Sequence, residues 1–166
     1  MCRHLVELFG HNRWANLRLI DWCAGVDDAL LDSSAQGTFG DARTTLVHLV
    51  GAEERYVELL TGETIPADRR LELEDPFPGL ELLRERIDAS GRRLVEVAAS
   101  TPDGHIIEGT YMNGEPYRLS ATTLLIQAIN HATEHRAHIM TVISQHGVEA
   151  PESDGWLYGE EVLDPA

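Results

Sequence analysis

Cysteine is scarce in this chain. Its 166 residues hold two, Cys2 and Cys23, and no C-x-x-C pair. That count and spacing argue against a thiolate zinc site and against a disulfide scaffold. Two free thiols suit a reducing cytoplasm, the expected location. Basic residues are also few, 13 against 28 acidic ones, for a formal charge of −15. Such a surface repels phosphate backbones and anionic headgroups, so neither nucleic acid nor a membrane is expected as a partner. Long apolar runs are missing too. Nothing approaches the roughly 18 residues of a spanning helix. The start, Met1-Cys2-Arg3-His4-Leu5, lacks the apolar stretch and small-residue cleavage site of a signal peptide. Internal repeats and low-complexity tracts are absent. What is present is ordinary globular composition, 43% hydrophobic and 25% charged. The length suits one domain with a core of its own.

Apolar residues recur at helical spacing from about Arg3 to Val26, through Leu5, Leu8, Phe9, Trp14, Leu17 and Ile20, and predict one long helix. Residues 27–40, rich in Asp, Ser and Gly, read as a connection. Asp41 can cap a second helix to about Leu60, stopped by Thr61-Gly62. Pro66, Pro76 and Pro78 make residues 61–78 a long loop. A third helix is expected from Leu80 to Ala99, with Leu82, Leu83, Ile87, Leu94 and Val97 inward. Asn113-Gly114 between short apolar runs predicts a hairpin or extended loop. Ser120 caps a fourth helix through about Gln145, closed by Gly147. Four amphipathic helices of this length suggest an all-α four-helix bundle. It spans residues 1–147, with a mostly irregular tail over 148–166 packed on the same domain.

The chemistry-bearing feature is histidine. Of eight in the chain, three stand at His131, His135 and His138. At about 100° per residue the later two lie near +40° and −20° from the first, on one face with Leu124 and Val142. That face looks inward. Imidazoles one turn apart on a bundle's inner face can share a divalent metal, and His48, midway along the second helix, is the natural donor from another element. The spacing leaves open the plainer reading, core histidines bonded to backbone carbonyls. Ala132 follows the first histidine where H-E-x-x-H needs Glu, so a zincin-type protease is not supported. Ferritin-like di-iron sites need inward carboxylates in Glu-x-x-His pairs, and position 137, three after Glu134, is Ala. Glu53 and Glu54 sit at about +140° and +240° from His48 and point away from its face.

Four segments make the chain resemble the DinB/YfiT-like family of metal-dependent enzymes over about residues 5–145. They are Phe9-Gly-His-Asn-Arg-Trp-Ala-Asn-Leu-Arg18, residues 38–55 around His48, Gly62-Glu63, and Asn130-His131 through His135-Arg136-Ala137-His138-Ile139. The resemblance implies a four-helix bundle of up-down-down-up order, often a homodimer, with a divalent metal on His48, His131 and His135. The family motif often ends in Arg-Gly-Gln; here it ends in Arg-Ala-His. His138 is therefore expected beside the ligands or in proton transfer, ahead of a place as fourth ligand. Zinc, nickel and iron all suit three neutral imidazoles with an open position. Such a site can activate water, or hold a thiol as thiolate. Similar proteins that use low-molecular-weight thiols favour the second: an S-transferase acting on small electrophiles in stress or detoxification, with the thiol as co-substrate. A metal-dependent hydrolase and a non-catalytic metal-binding bundle are the alternatives.

Other residues read as architecture. Trp14, Ala15 and Asn16 are expected in packing, and Asn130 as a hydrogen bonder between helices. Arg136 reads as structural or solvated. His4 and His11 read as partly exposed or core-bonded, with His11 near enough to the mouth to join the site. Tyr111 and Tyr117 suit turn packing or the pocket wall. His105 and His146 read as surface, and the acidic excess as a solvated exterior.

Overall fold

The computed structural model describes residues 3–110 and 113–165. Four long helices dominate: α1 (Arg3–Cys23), α2 (Ala42–Thr61), α3 (Leu80–Ser100) and α4 (Ala121–Ser144). Between α3 and α4, β1 (Ile106–Thr110) and β2 (Pro116–Ser120) form an antiparallel hairpin, with Ile106 opposite Ser120 and Gly109 opposite Tyr117. A short helix α5 (Gly155–Tyr158) follows near the end. Among the described residues no helix is long and apolar enough to cross a membrane.

Local chemistry sets the helix ends. The Asp41 carboxylate accepts from the Thr44 amide at 2.7 Å and opens α2. Gly62 closes it at φ 74°, a left-handed conformation that suits a residue without Cβ. Ser120 Oγ accepts from the Thr123 amide and opens α4 directly from β2. Helix α1 stops at Cys23, short of Val26, because residues 24–26 turn into a 3-10 segment over Asp28–Asp32 that Asp27 caps. The tail is less irregular than its prolines and glycines suggest. Asp154 Oδ1 accepts from the Trp156 and Leu157 amides, starting α5, which runs on into a turn of wider helix over Gly159–Leu163.

Helix α1 packs on α3 and α4, and α2 packs on α3 and α4. The apolar interior falls into two clusters. The larger gathers Leu19, Ile20, Leu46, Leu49, Val50, Leu83, Ile87, Ile139 and Ile143. The smaller gathers Phe9, Leu94, Val97, Leu125 and Ala128. Leu82, expected inward, is exposed; its neighbour Leu83 and Ile87 take the core face, leaving Leu82 on the wall of a cavity under the long loop. The tail lies along α1. Tyr158 is buried there, and a Cβ on Gly10 would meet its hydroxyl at 2.6 Å, so only glycine allows this approach.

Candidate metal centre

His48 comes from α2, and His131 and His135 come from consecutive turns of α4. The structure brings these three together across the α2–α4 seam: one ring nitrogen from each lies within 4.8 Å of the others. His48 Nε2 and His131 Nε2 are 3.0 Å apart. His135 is buried, and its Nδ1 has no hydrogen-bond partner among the described residues. Phe39, from the loop before α2, stacks on His48 at 4.1 Å between ring centres and presents its face or edge to His135 at 5.1 Å. Tyr56 meets His131 edge-on.

Burial pushes the acidity of these rings one way. It lowers the His48 pKa. It brings His131 down to about 4, helped by the charges His135 and His48 would carry, and His135 down to about 4, helped by His48 and His138. Neutral imidazoles with free lone pairs are the form that takes a metal. Three such nitrogens within 4.8 Å of one another could hold a divalent ion.

His138 lies outside this cluster. Its ring is 5.5 Å from that of His135, and its Nδ1 is buried without a partner among the described residues. His11 does not join the site: its Nε2 is 3.0 Å from the Ser153 carbonyl oxygen, tying α1 to the tail. Trp14 packs there too, against His11 and Tyr158. His4, His105 and His146 are exposed. Tyr117 lies over Gly109 in the hairpin, and Tyr111 lies outside the described residues. Asn130 is exposed, so it does not bond between helices as expected.

Two cavities flank α2. One of about 770 Å³ lies under the loop around residues 63–78. A second, of about 320 Å³, shares its Ile65, Arg70 and Leu71 wall and reaches His48, Gly51 and Arg55.

A second polar group, missed in the sequence, lies inside the helices. Glu53 is 3% exposed; its Oε1 accepts from Ser90 at 2.7 Å and its Oε2 from Asn12 and Asn16 at 3.1 and 2.8 Å. The same two asparagines accept from Arg136 Nη1 at 2.8 and 2.6 Å, and Arg136 Nη2 donates to Thr133. Arg136, expected to be structural or solvated, is thus fully engaged in the interior. Burial raises the Glu53 carboxyl to about 7, against the pull of Ser90, both asparagines and Arg136. It lowers Arg136 to about 10. Asn12 and Asn16, polar residues one turn apart between Phe9 and Leu19, were the signal that could have exposed this layer.

The DinB family model matches residues 1–162. The chain belongs to the DinB family. No curated protein and no solved structure matches it. For this DinB chain the family's metal-binding character and the clustered histidines point to the same place on α2 and α4.

Proposed function

We propose that this DinB protein is a metal-dependent S-transferase that joins a low-molecular-weight thiol to a small electrophile. The observation that carries the reading is the cluster of three imidazole nitrogens within 4.8 Å, contributed by two helices. His48, His131 and His135 would hold the ion, with zinc, nickel or iron as candidates. A divalent ion there supplies the Lewis acidity that keeps a thiol sulfur deprotonated near neutral pH.

The chain's own residues do the rest. His138, beside His135 with a free Nδ1, is placed to take the thiol's proton. The sulfur then forms its bond to carbon as the leaving group departs with its electron pair, so thiol and electrophile yield a thioether, the leaving anion and one proton. The cavity reaching His48 gives the electrophile an apolar wall at Leu71 and Leu73. Arg55 lines it with no ion-pair partner among the described residues, which suits a carboxylate on the thiol. The family's up-down-down-up bundle and homodimer belong to this reading; exposed Trp156, Val162 and Leu163 offer an apolar surface for the second copy. So do a cytoplasmic site of action, which suits the buried thiol of Cys23, and a detoxification role.

The test starts with elemental analysis of untagged protein, wild type and His48→Ala and His135→Ala. About one ion per chain is expected in wild type and none in the variants. The loaded protein is then given glutathione, bacillithiol or mycothiol with a chromogenic aryl halide. Thioether formation that needs both metal and thiol supports the proposal. Ester or amide cleavage without thiol would shift it to a hydrolase. A wild type that takes up no zinc, nickel or iron would sink it.

A further inference from the structure

We propose that the buried layer of Asn12, Asn16, Glu53, Ser90 and Arg136 positions the histidine triad, by fixing how α2 and α4 are rotated about their own axes. The inference rests on the triad being a metal site and concerns what holds it in shape.

Place in the fold is the first argument. Along α1 the chain passes from Phe9 in the smaller apolar cluster to Leu19 in the larger one through Asn12 and Asn16. Along α3 it passes from Ile87 to Leu94 through Ser90, and along α2 from Val50 to Val57, which packs on the smaller cluster, through Glu53. Arg136 enters from α4. The layer therefore takes a side chain from all four long helices: from α1, α2 and α3 at the boundary between the two clusters, and from α4 by Arg136, which stands between Ala132 and Ile139 of the larger cluster and reaches Asn12 and Asn16. Apolar contacts are non-directional and set a helix's rotation about its own axis only loosely. Directional bonds fix it.

The bonding pattern is the second argument. Asn12 and Asn16 each donate from Nδ2 to Glu53 and accept at Oδ1 from Arg136. One pair of amides on α1 thus reads the rotation of both metal-bearing helices. Arg136 directly follows His135 and is about 100° from it around α4. Three bonds, to Asn12, Asn16 and Thr133, fix the guanidinium, and the backbone carries that constraint to His135. Glu53 does the same for α2, five residues after His48. An imidazole nitrogen stands about 6 Å from its helix axis, so a rotation of about 15° moves it by roughly 1.5 Å. Metal–nitrogen bonds of about 2.0–2.1 Å tolerate about 0.2 Å.

Stability does not account for the layer. Well-packed apolar residues in place of a buried ion pair often leave a fold as stable or more so, whereas polar residues fix register. These are positioning residues, since none touches the ring nitrogens.

The test compares wild type, the paired variant Glu53→Leu with Arg136→Met, and Arg136→Lys. Zinc affinity is read by competition with a chromophoric chelator, coordination by the cobalt(II) absorption spectrum, and folding by urea unfolding of the metal-free chains. The paired variant is expected to unfold cooperatively like wild type, to bind zinc about 10-fold or more weakly, and to show altered cobalt bands. Arg136→Lys, which keeps a donor near the asparagines, is expected to recover part of the affinity. A folded paired variant with wild-type affinity and cobalt spectrum would overturn the inference and leave the metal site standing. Should the paired variant not fold, the near-isosteric Glu53→Gln is judged on the same affinity and spectrum. Zinc failing to bind wild type would remove the metal-site reading itself, and this inference with it.

Discussion

The histidine triad and the Glu53–Arg136 layer meet on α4 at adjacent residues, His135 and Arg136, yet they handle burial in opposite ways. The triad gathers three groups that can only carry positive charge, and burial holds them neutral. Their lone pairs have too few partners within the chain, and the buried Nδ1 of His135 has none among the described residues. The layer pairs a carboxyl with a guanidinium through two amides and a hydroxyl, and its interactions close on themselves. A polar cluster that satisfies itself is architecture. One that leaves an atom unanswered awaits something from outside.

The largest expected effect breaks this contrast from the side of the layer. At pH 8, where the Glu53 carboxyl is ionised beside Arg136, Arg136→Met leaves it buried without its countercharge and should cost about 3–5 kcal/mol in urea unfolding. A loss below about 1 kcal/mol would mean that water reaches the layer and that it is not closed. Next comes pH. Burial holds the proton on Glu53 up to about 7 in the folded chain, against an ordinary carboxyl value of 4.5. Between those values the folded state binds more protons, so stability falls as pH rises from 4.5 to 7, by on the order of 3 kcal/mol in full. Glu53→Gln should remove that slope. His131 and His135 work in the reverse sense. Held down to about 4 from 6.5, they take up protons more readily in the unfolded state, so the metal-free protein loses stability as pH falls from 6.5 to 4. His131→Ala should make that acid limb shallower, as read by urea midpoints across the range.

A smaller effect tests whether the triad depends on its own helix start. Asp41→Ala removes the α2 cap and should cost about 1 kcal/mol without changing zinc stoichiometry. The smallest is His131→Ala in metal-free protein at pH 7.5. Since the triad supplies no closed network, the change in stability should stay within about 1 kcal/mol. A loss as large as that of Arg136→Met would erase the distinction between the two regions.

How far the sequence revealed these regions follows from the distances involved. His131 and His135 stand one turn apart on one helix, so their common face can be computed from 3.6-residue periodicity, and His48 sits midway along a helix with a clear cap and stop. The helix bounds were legible for the same reason: Asp41, Gly62 and Ser120 act on neighbours in the chain. The layer had no local pattern. Glu53 was correctly placed off the face of His48, but an acidic residue off one face reads as solvated unless its partners are known. Those partners lie on α1 and α3, and the bond from Arg136 to Asn12 spans 124 residues. Leu82 and Asn130 failed differently, since burial there was decided by which neighbours took the core face. The tail's short helix was hidden by glycine and proline content, although Asp154 before Gly155 carried the capping signal.

Phe39 gives the site an optical consequence. The residue is 43% exposed, yet its ring stacks on His48 and contacts His135. An indole in its place would be a fluorophore in contact with two of the three candidate ligands while facing solvent. In a Phe39→Trp chain, cobalt or nickel should quench that emission through their partly filled d shells and zinc should not, so the identity of the bound ion could be followed by light, without a label.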